Sequence, residues 1–326
     1  MTKLLEVNGI CKSFAVSPAP GQKSQRLQAV DDVSFSMLPG ETLGLVGESG
    51  CGKSTLAKLL MGLLEPDRGA VHFQGLPLSG LSRRQRRPLL RKVQMIFQDP
   101  YASLNPRMNV EAILSEPYII HNRPQDAGQG VQQLLDAVGL PQEARFRFPH
   151  EFSGGQRQRI GIARALALKP DLIIADEPVS ALDLSIQAQI LDLLRELQQQ
   201  YQLSYLLISH DLSVIRELCQ RVAVMYLGRL VEIAPVSDFF HRPRHPYSEM
   251  LLKALPIADP RHPQHALPAG EIPSALAPPA GCSFHPRCPY REQECQTSAP
   301  ALTSLGNDHF AACHVAEKLF LDGLST

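Results

Sequence analysis

The sequence predicts an α/β fold with a mainly parallel sheet, an inserted α-helical subdomain and a small Pro/Cys-rich C-terminal extension. Three observations carry that prediction. Short apolar runs at 42–46, 93–97, 172–175 and 205–208 alternate with helical apolar periods such as Leu56, Leu59, Leu60 and Leu63, or Ile186, Ile190, Leu193, Leu194 and Leu197; strands that alternate with helices build parallel sheets. The stretch from about 100 to 165 carries helical patterns, as at 131–138, punctuated by Pro100, Pro106, Pro117, Pro124 and Pro149. After residue 234 the texture changes, because 13 of the 27 prolines lie between Pro235 and Pro300. Such density forbids long helices and central strands. The expected division is residues 1–234 as the main domain and 235–326 as the extension, with one short helix near Tyr247.

Composition narrows the class. The chain has 326 residues, 44% hydrophobic and 20% charged, which suits a globular domain plus an appendage and excludes a disordered chain. The 32 basic and 32 acidic residues cancel, so bulk charge does not draw nucleic acid. The N-terminus reaches Glu6 without a continuous apolar stretch, and no run approaches the roughly 18 apolar residues that span a bilayer. A cytosolic protein whose membrane contact runs through a partner is expected.

The chemistry begins at Gly47-Glu48-Ser49-Gly50-Cys51-Gly52-Lys53-Ser54, which fits the phosphate-binding pattern G-x-x-x-x-G-K-[ST]. An apolar strand leads in and an apolar-periodic helix leads out. Glycines let the backbone fold into a cradle of N–H groups, and the helix N-terminus adds its positive end. Lys53 is expected on the β/γ-phosphates, the Ser54 hydroxyl on Mg²⁺, and Thr55 beside them. A second site lies at the end of the run 172–175, where Asp176 and Glu177 follow. Ligands bind beyond the C-terminal ends of strands in open α/β sheets, so Asp176 is placed to hold Mg²⁺ and Glu177 to polarise a water for attack on the γ-phosphorus.

Phe152-Ser153-Gly154-Gly155-Gln156 precedes that strand. Ser153 and the glycines open a helix from Gln156, so a hydroxyl, N–H groups and the helix dipole converge on an anion. The segment resembles the L-S-G-G-Q signature of ATP-binding cassette (ABC) ATPases, with Phe152 in place of Leu. The resemblance implies a P-loop NTPase core of the ABC type, and a dimer in which this motif meets the γ-phosphate of ATP on a second cassette. Further elements fall in the family's order. Gln98 resembles the Q-loop glutamine, which implies a contact to Mg²⁺ and water that senses the membrane partner; Ser180-Ala181-Leu182-Asp183 resembles the D-loop, and His210 the switch histidine that contacts the γ-phosphate. Phe14 is the candidate aromatic for stacking on adenine.

Two segments narrow the resemblance. Gln98-Asp99-Pro100-Tyr101-Ala102-Ser103-Leu104-Asn105-Pro106 and His245-Pro246-Tyr247 are similar to those of dipeptide and oligopeptide importer ATPases, most of all the second ATPase subunit of bacterial dipeptide importers. That implies ATP hydrolysis with Mg²⁺, a paralogous ATPase as partner, two integral permease subunits, an indirect link to a substrate-binding protein, and a peripheral place on the cytoplasmic face of the membrane. The alternatives are a nickel or glutathione importer of the same family, a soluble non-transport ABC ATPase, and a redox- or metal-sensing module.

Cys282, Cys288, Cys295 and Cys313 cluster in the extension. Four thiolates suit Zn²⁺ or a [4Fe–4S] cluster, or stand as free thiols. The spacings exceed those of structural zinc pairs, the Pro- and Gly-rich context suits a loop around a larger cofactor, and the resemblance implies an iron–sulfur cluster. The run Arg83-Arg84-Gln85-Arg86-Arg87 reads as a solvated helix face or as a contact for anionic lipid headgroups.

Overall fold

The apolar runs become the parallel centre of an eight-stranded sheet. A computed structural model describes residues 2–16, 25–78, 80–255, 273–319, 321 and 323. Part of the polar stretch 17–26 and residues 256–272 of the Pro-rich segment lie outside the described residues. The chain begins with β1 (Leu5–Val16) and β2 (Gln25–Met37), then β3 (Thr42–Val46), the glycine-rich loop and α1 (Lys53–Leu60). Next come β4 (Arg68–Phe73), β5 (Leu76–Pro77), α2 (Arg83–Leu90) and β6 (Val93–Ile96). Four helices follow: α3 (Pro100–Ser103), α4 (Val110–Ile120), α5 (Ala127–Ala137) and α6 (Gly154–Leu166). The chain re-enters the sheet through β7 (Leu172–Asp176), α7 (Leu184–Tyr201), β8 (Ser204–Ile208), α8 (Leu212–Leu218), β9 (Arg221–Tyr226) and β10 (Arg229–Pro235). It ends with α9 (Val236–His241), α10 (Pro246–Lys253), β11 (Thr303–Ser304) and β12 (Phe310–Ala311).

The larger sheet runs β11-β12-β10-β9-β3-β8-β7-β6, and its strands from β9 to β6 are parallel. These strands read as unbroken apolar runs because both faces are covered. In β7, Leu172 and Ile174 enter one hydrophobic core while Ile173 and Ala175 enter the other. The first core includes Leu56 and Leu60 of α1 and the inner face of a second sheet. The other holds α4 to α8. Burying each of those leucines contributes about 2 kcal/mol before entropy is counted.

That second sheet, ordered β2-β1-β4-β5, is antiparallel throughout. A mainly parallel expectation describes the centre of the fold and omits this layer. The physical reason is irregularity. The β1–β2 register shifts between Val7 and Ile10, Ile10 and Lys12, and Lys12 and Ser13, and each shift breaks the period-2 alternation that marks a half-buried strand. The arginine run forms α2, opened by a capping box in which Ser82 accepts from the Gln85 N–H. Arg86 is spent on the Gly62 carbonyl and on Glu65, as a structured helix face would have it.

The C-terminal residues are built into this frame. β12 pairs with β10 (Glu232 opposite Ala311, Ile233 opposite Phe310), so the extension completes one edge of the main sheet. Glu232, with no exposed surface, accepts the backbone N–H groups of Arg244 (2.8 Å) and His245 (2.9 Å) and the ring N–H of His309 (2.7 Å). His245 is itself buried, and burial pushes its imidazole down to about 3. The ring is therefore neutral, and its Nδ1 accepts from the Tyr247 N–H at 3.1 Å to cap α10. A fully buried carboxylate is tolerable only with such a set of donors. Glu232→Ala should lower the unfolding free energy by about 3 kcal/mol, read by urea denaturation; a loss below about 0.5 kcal/mol would show that Glu232 is not what joins the extension to the sheet.

Candidate functional site

Four neighbouring strands of the main sheet end on one side, and each delivers a candidate residue. β3 feeds the glycine-rich loop, β6 is followed by Gln98, β7 by Glu177 and β8 by His210. The sharp turn after β3 needs positive φ at Gly47 (151°), Gly50 (79°) and Gly52 (112°). Two of these positions also lack room for any side chain. A Cβ on Gly47 would stand 2.2 Å from the Met225 carbonyl oxygen, and one on Gly52 would stand 2.1 Å from that of Ala29. The loop closes through Cys51 N–H to the Glu48 carbonyl (3.3 Å) and Gly228 N–H to the Cys51 carbonyl (2.8 Å). The Lys53 ammonium donates to the Gly47 (2.7 Å) and Glu48 (3.0 Å) carbonyls. α1 starts with no side chain capping its first turn and no acidic residue there, which leaves its positive end to an anion.

Beside the loop lies a cavity of about 300 Å³ lined by Ser49, Gly50, Gly52, Lys53, Ser54 and Thr55, and also by Phe14, Gln98 and Glu177. Its size suits part of a nucleotide, and Phe14 is the aromatic residue in its wall. The Ser54 hydroxyl hydrogen-bonds the Asp176 carboxylate, whose affinity for a proton is raised by burial and by Glu177, partly offset by Ser54 and Lys53. These are two hard oxygen donors side by side, a set that fits Mg²⁺, which takes one or two protein ligands and keeps water and substrate phosphates for the rest. Glu177 sits in the left-handed region at φ 47°. Its N–H donates to the Ile208 carbonyl at 2.9 Å, tying the ends of β7 and β8 together. Its carboxylate accepts from Gln98 Nε2 at 2.7 Å and meets His210 Nδ1 at 3.0 Å.

The signature residues stand elsewhere. Ser153 caps α6 by accepting the Gln156 N–H (3.3 Å), and the Gln156 side chain accepts the Ser153 N–H in return (3.0 Å). Neither these residues nor Gly154, Gly155 and Asp183 line the cavity. Leu182 and Ile186 crowd Gly154 and Gly155, so the Asp183 segment packs beside the signature. The chain thus brings Lys53, Ser54, Thr55, Asp176, Glu177, Gln98, His210 and Phe14 together around the loop, and holds Ser153, Gly154, Gly155, Gln156 and Asp183 apart from it.

The four C-terminal cysteines do not fit the metal expectation. Among the described residues no group of three or more His, Cys, Asp or Glu side chains is arranged to hold a metal ion, so neither the [4Fe–4S] cluster nor the zinc reading is supported. All four are free thiols, and Cys313 lies within electrostatic reach of Cys282, Cys288 and Cys295. Burial pushes the Cys282 thiol up, Cys288 to about 11 and Cys313 to about 12. Cys282 and Cys288 pack against the main core instead, as small hydrophobic side chains do. Sequence reasoning also missed two residues that touch the loop, Tyr247 and Arg287, which both contact Glu48. They lie 199 and 239 residues from it, and no spacing rule connects them.

The glycines give a direct test. Gly52→Ala should abolish ATP binding, because the new Cβ meets backbone that cannot retreat. Gly50→Ala should cost only the strain of a positive φ, about 1 kcal/mol, since nothing stands within 4 Å of its Cβ position. Thermal unfolding with and without MgATP separates the two; full MgATP stabilisation of Gly52→Ala would mean the loop has room there after all.

Comparison with known proteins accounts for both regions. The family model described as ABC transporter matches residues 30–180, and the model described as the C-terminal region of the oligopeptide/dipeptide transporter matches residues 231–295. The putative oligopeptide transport ATP-binding protein YkfD of Bacillus subtilis is 48% identical over 96% of this chain and 95% of its own. The di/tripeptide transport ATP-binding protein DppF of Pseudomonas aeruginosa is 45% identical over 98% of this chain and 99% of its own. Among solved structures, the dimeric post-hydrolysis state of the ATP-binding cassette MJ0796 bound to ADP and Pi superposes with a TM-score of 0.63, at 25% identity, over 71% of this chain and 98% of its own. With a glycine-loop cavity at the ends of parallel strands and similarity along the whole length, the chain belongs to the ABC transporter ATP-binding family, in the branch that carries the oligopeptide/dipeptide transporter C-terminal region.

Proposed function

We propose that this ABC ATPase powers the import of di- or oligopeptides through a membrane transporter. The observation that carries the cargo class is the similarity to peptide-transport ATPases over both the cassette and the C-terminal region. Residues 1–234 act as the nucleotide-binding domain, with about 100–165 as its helical subdomain, and 235–326 as the extension. The chain works with a paralogous ATPase subunit and two integral permease subunits, and is linked through them to a substrate-binding protein. Among the described residues no helix is long and apolar enough to cross a membrane, which is consistent with a peripheral place on the cytoplasmic face. A nickel- or glutathione-importing relative would share the site but not the names of these relatives.

In this reading Lys53 and the N–H groups of the glycine loop take the charge of the β- and γ-phosphates. Ser54 and Asp176, with Gln98 nearby, would hold Mg²⁺, and the ion would neutralise charge on the phosphate oxygens. Glu177 orients a water and accepts its proton as the water attacks the γ-phosphorus; Gln98 and His210 hold the two oxygens of that carboxylate. Phe14 offers a stacking face to the adenine. The bond between the γ-phosphorus and the bridging oxygen breaks, leaving ADP and phosphate. Ser153, Gly154, Gly155 and Gln156 are turned to the other subunit's γ-phosphate, with Asp183 beside them at the same contact. Two nucleotides therefore sit between two chains, and hydrolysis releases the clamp. The segment after Gln98 passes that motion to the permease.

Glu177→Gln should retain ATP but turn it over about 100-fold more slowly or worse, as expected for loss of a positioned base; near-normal turnover would remove Glu177 from that role. Lys53→Ala should lose nucleotide, and tight MgATP binding by that variant would count against the loop assignment. Co-expression with candidate permease subunits and affinity capture of the ATPase tests the assembly. Recovery of two integral membrane subunits whose ATPase activity rises with a peptide-loaded binding protein is the expected result. Stimulation by nickel- or glutathione-loaded protein alone would overturn the cargo class.

A further inference from the structure

We propose that Tyr247 and Arg287, both in the C-terminal extension, are positioning residues for the nucleotide site, and that through Glu48 they set how tightly the glycine loop holds nucleotide phosphates. This rests on the loop reading given above. Glu48 is the second residue of the loop and is gripped at three points. Its backbone N–H donates to the Tyr247 hydroxyl at 2.8 Å. Its carboxylate receives two parallel bonds from the Arg287 guanidinium, at 2.9 and 3.1 Å. Its carbonyl oxygen accepts from Lys53 at 3.0 Å. The same residue therefore presents a carbonyl to the phosphate-binding lysine and is fixed in place by a segment 199 to 239 residues away.

The grip is stiff. The Arg287 side chain is 7% exposed, so the fork-to-fork pair is held in a shielded place where bidentate geometry is most effective. Tyr247 packs in a ring cluster, 4.6 Å from Tyr226 and 5.5 Å from Phe284, with Phe284 a further 5.4 Å from Tyr226. The neutral His245 caps the helix that carries Tyr247, and Glu232 anchors His245 to the sheet. Two physical effects follow. Arg287 cancels a negative charge that would otherwise stand in the loop next to the incoming phosphates. The Tyr247 and Arg287 bonds also fix the loop before nucleotide arrives, so less ordering is needed on binding.

The test uses the full chain, a fluorescent ATP analogue with Mg²⁺, and steady-state hydrolysis. Arg287→Met should weaken analogue binding about tenfold, the scale of a lost shielded charge pair. Adding Glu48→Gln to that variant should restore binding to within about threefold of wild type, because the unpaired charge has gone. Packing loss at Arg287 would not be repaired in this way. Tyr247→Phe keeps the ring cluster and should raise KM about threefold with little change in kcat. Wild-type binding in both single variants would overturn the proposal, as would a weakened Arg287→Met that Glu48→Gln fails to rescue. Should Arg287→Met not fold, Tyr247→Phe decides alone through its KM. Lys53→Ala serves as the control: if it binds the analogue like wild type, the loop assignment fails, and this proposal with it.

Discussion

Everything at the site depends on parallel register. β3, β8, β7 and β6 are neighbours in one sheet, and their carboxyl ends lie on one side of it. That alone brings the glycine loop, His210, Glu177 and Gln98 within reach although they span more than half of the chain. The pairing of Asp176 with Ile208 and of Ala175 with Ile96 sets their heights. A one-residue slip in β7 would move Asp176 to the opposite face and shift Glu177 out of line with Gln98 and His210. Two buried faces make such a slip costly, so the precision of the site is purchased by the hydrophobic cores rather than by the polar groups themselves.

The polar groups then settle one another locally. Glu177 is held by a backbone bond to β8 and by side chains that follow β6 and β8, while Asp176 turns to Ser54. Adjacent carboxylates are thereby given different neighbours and different environments, one toward the start of α1 and one toward Gln98 and His210. Their division of labour is a matter of which strand end each one faces.

Local patterns made much of this legible. Glycines at fixed spacing, a strand ending in two acids, and a serine opening a helix each have a mechanism that works over a few residues. Contacts between distant segments were not legible in the same way. The antiparallel sheet was hidden by the irregularities in β1. The four cysteines share a locus, yet Cys282 and Cys288 pack against the main core, and spacing along a chain does not report which way a sulfur points. Arg287 is one arginine among many in the sequence; only the fold shows that its fork meets Glu48. The extension thus reads as an appendage in sequence and behaves as part of the frame, since β12 lies beside β10 and Glu232 joins both ends of the segment.

Ser153 caps the start of α6 as an acceptor, with its hydroxyl oxygen taking the Gln156 N–H. A hydroxyl has one hydrogen and two lone pairs, so capping the helix leaves the hydrogen unspent and able to turn outward. Aspartate or asparagine would cap the helix equally well. An aspartate there, however, would bring only lone pairs and a negative charge to an arriving phosphate. Under the proposed function, a small alcohol at this position lets a single group serve its own backbone and the phosphate of a second cassette together.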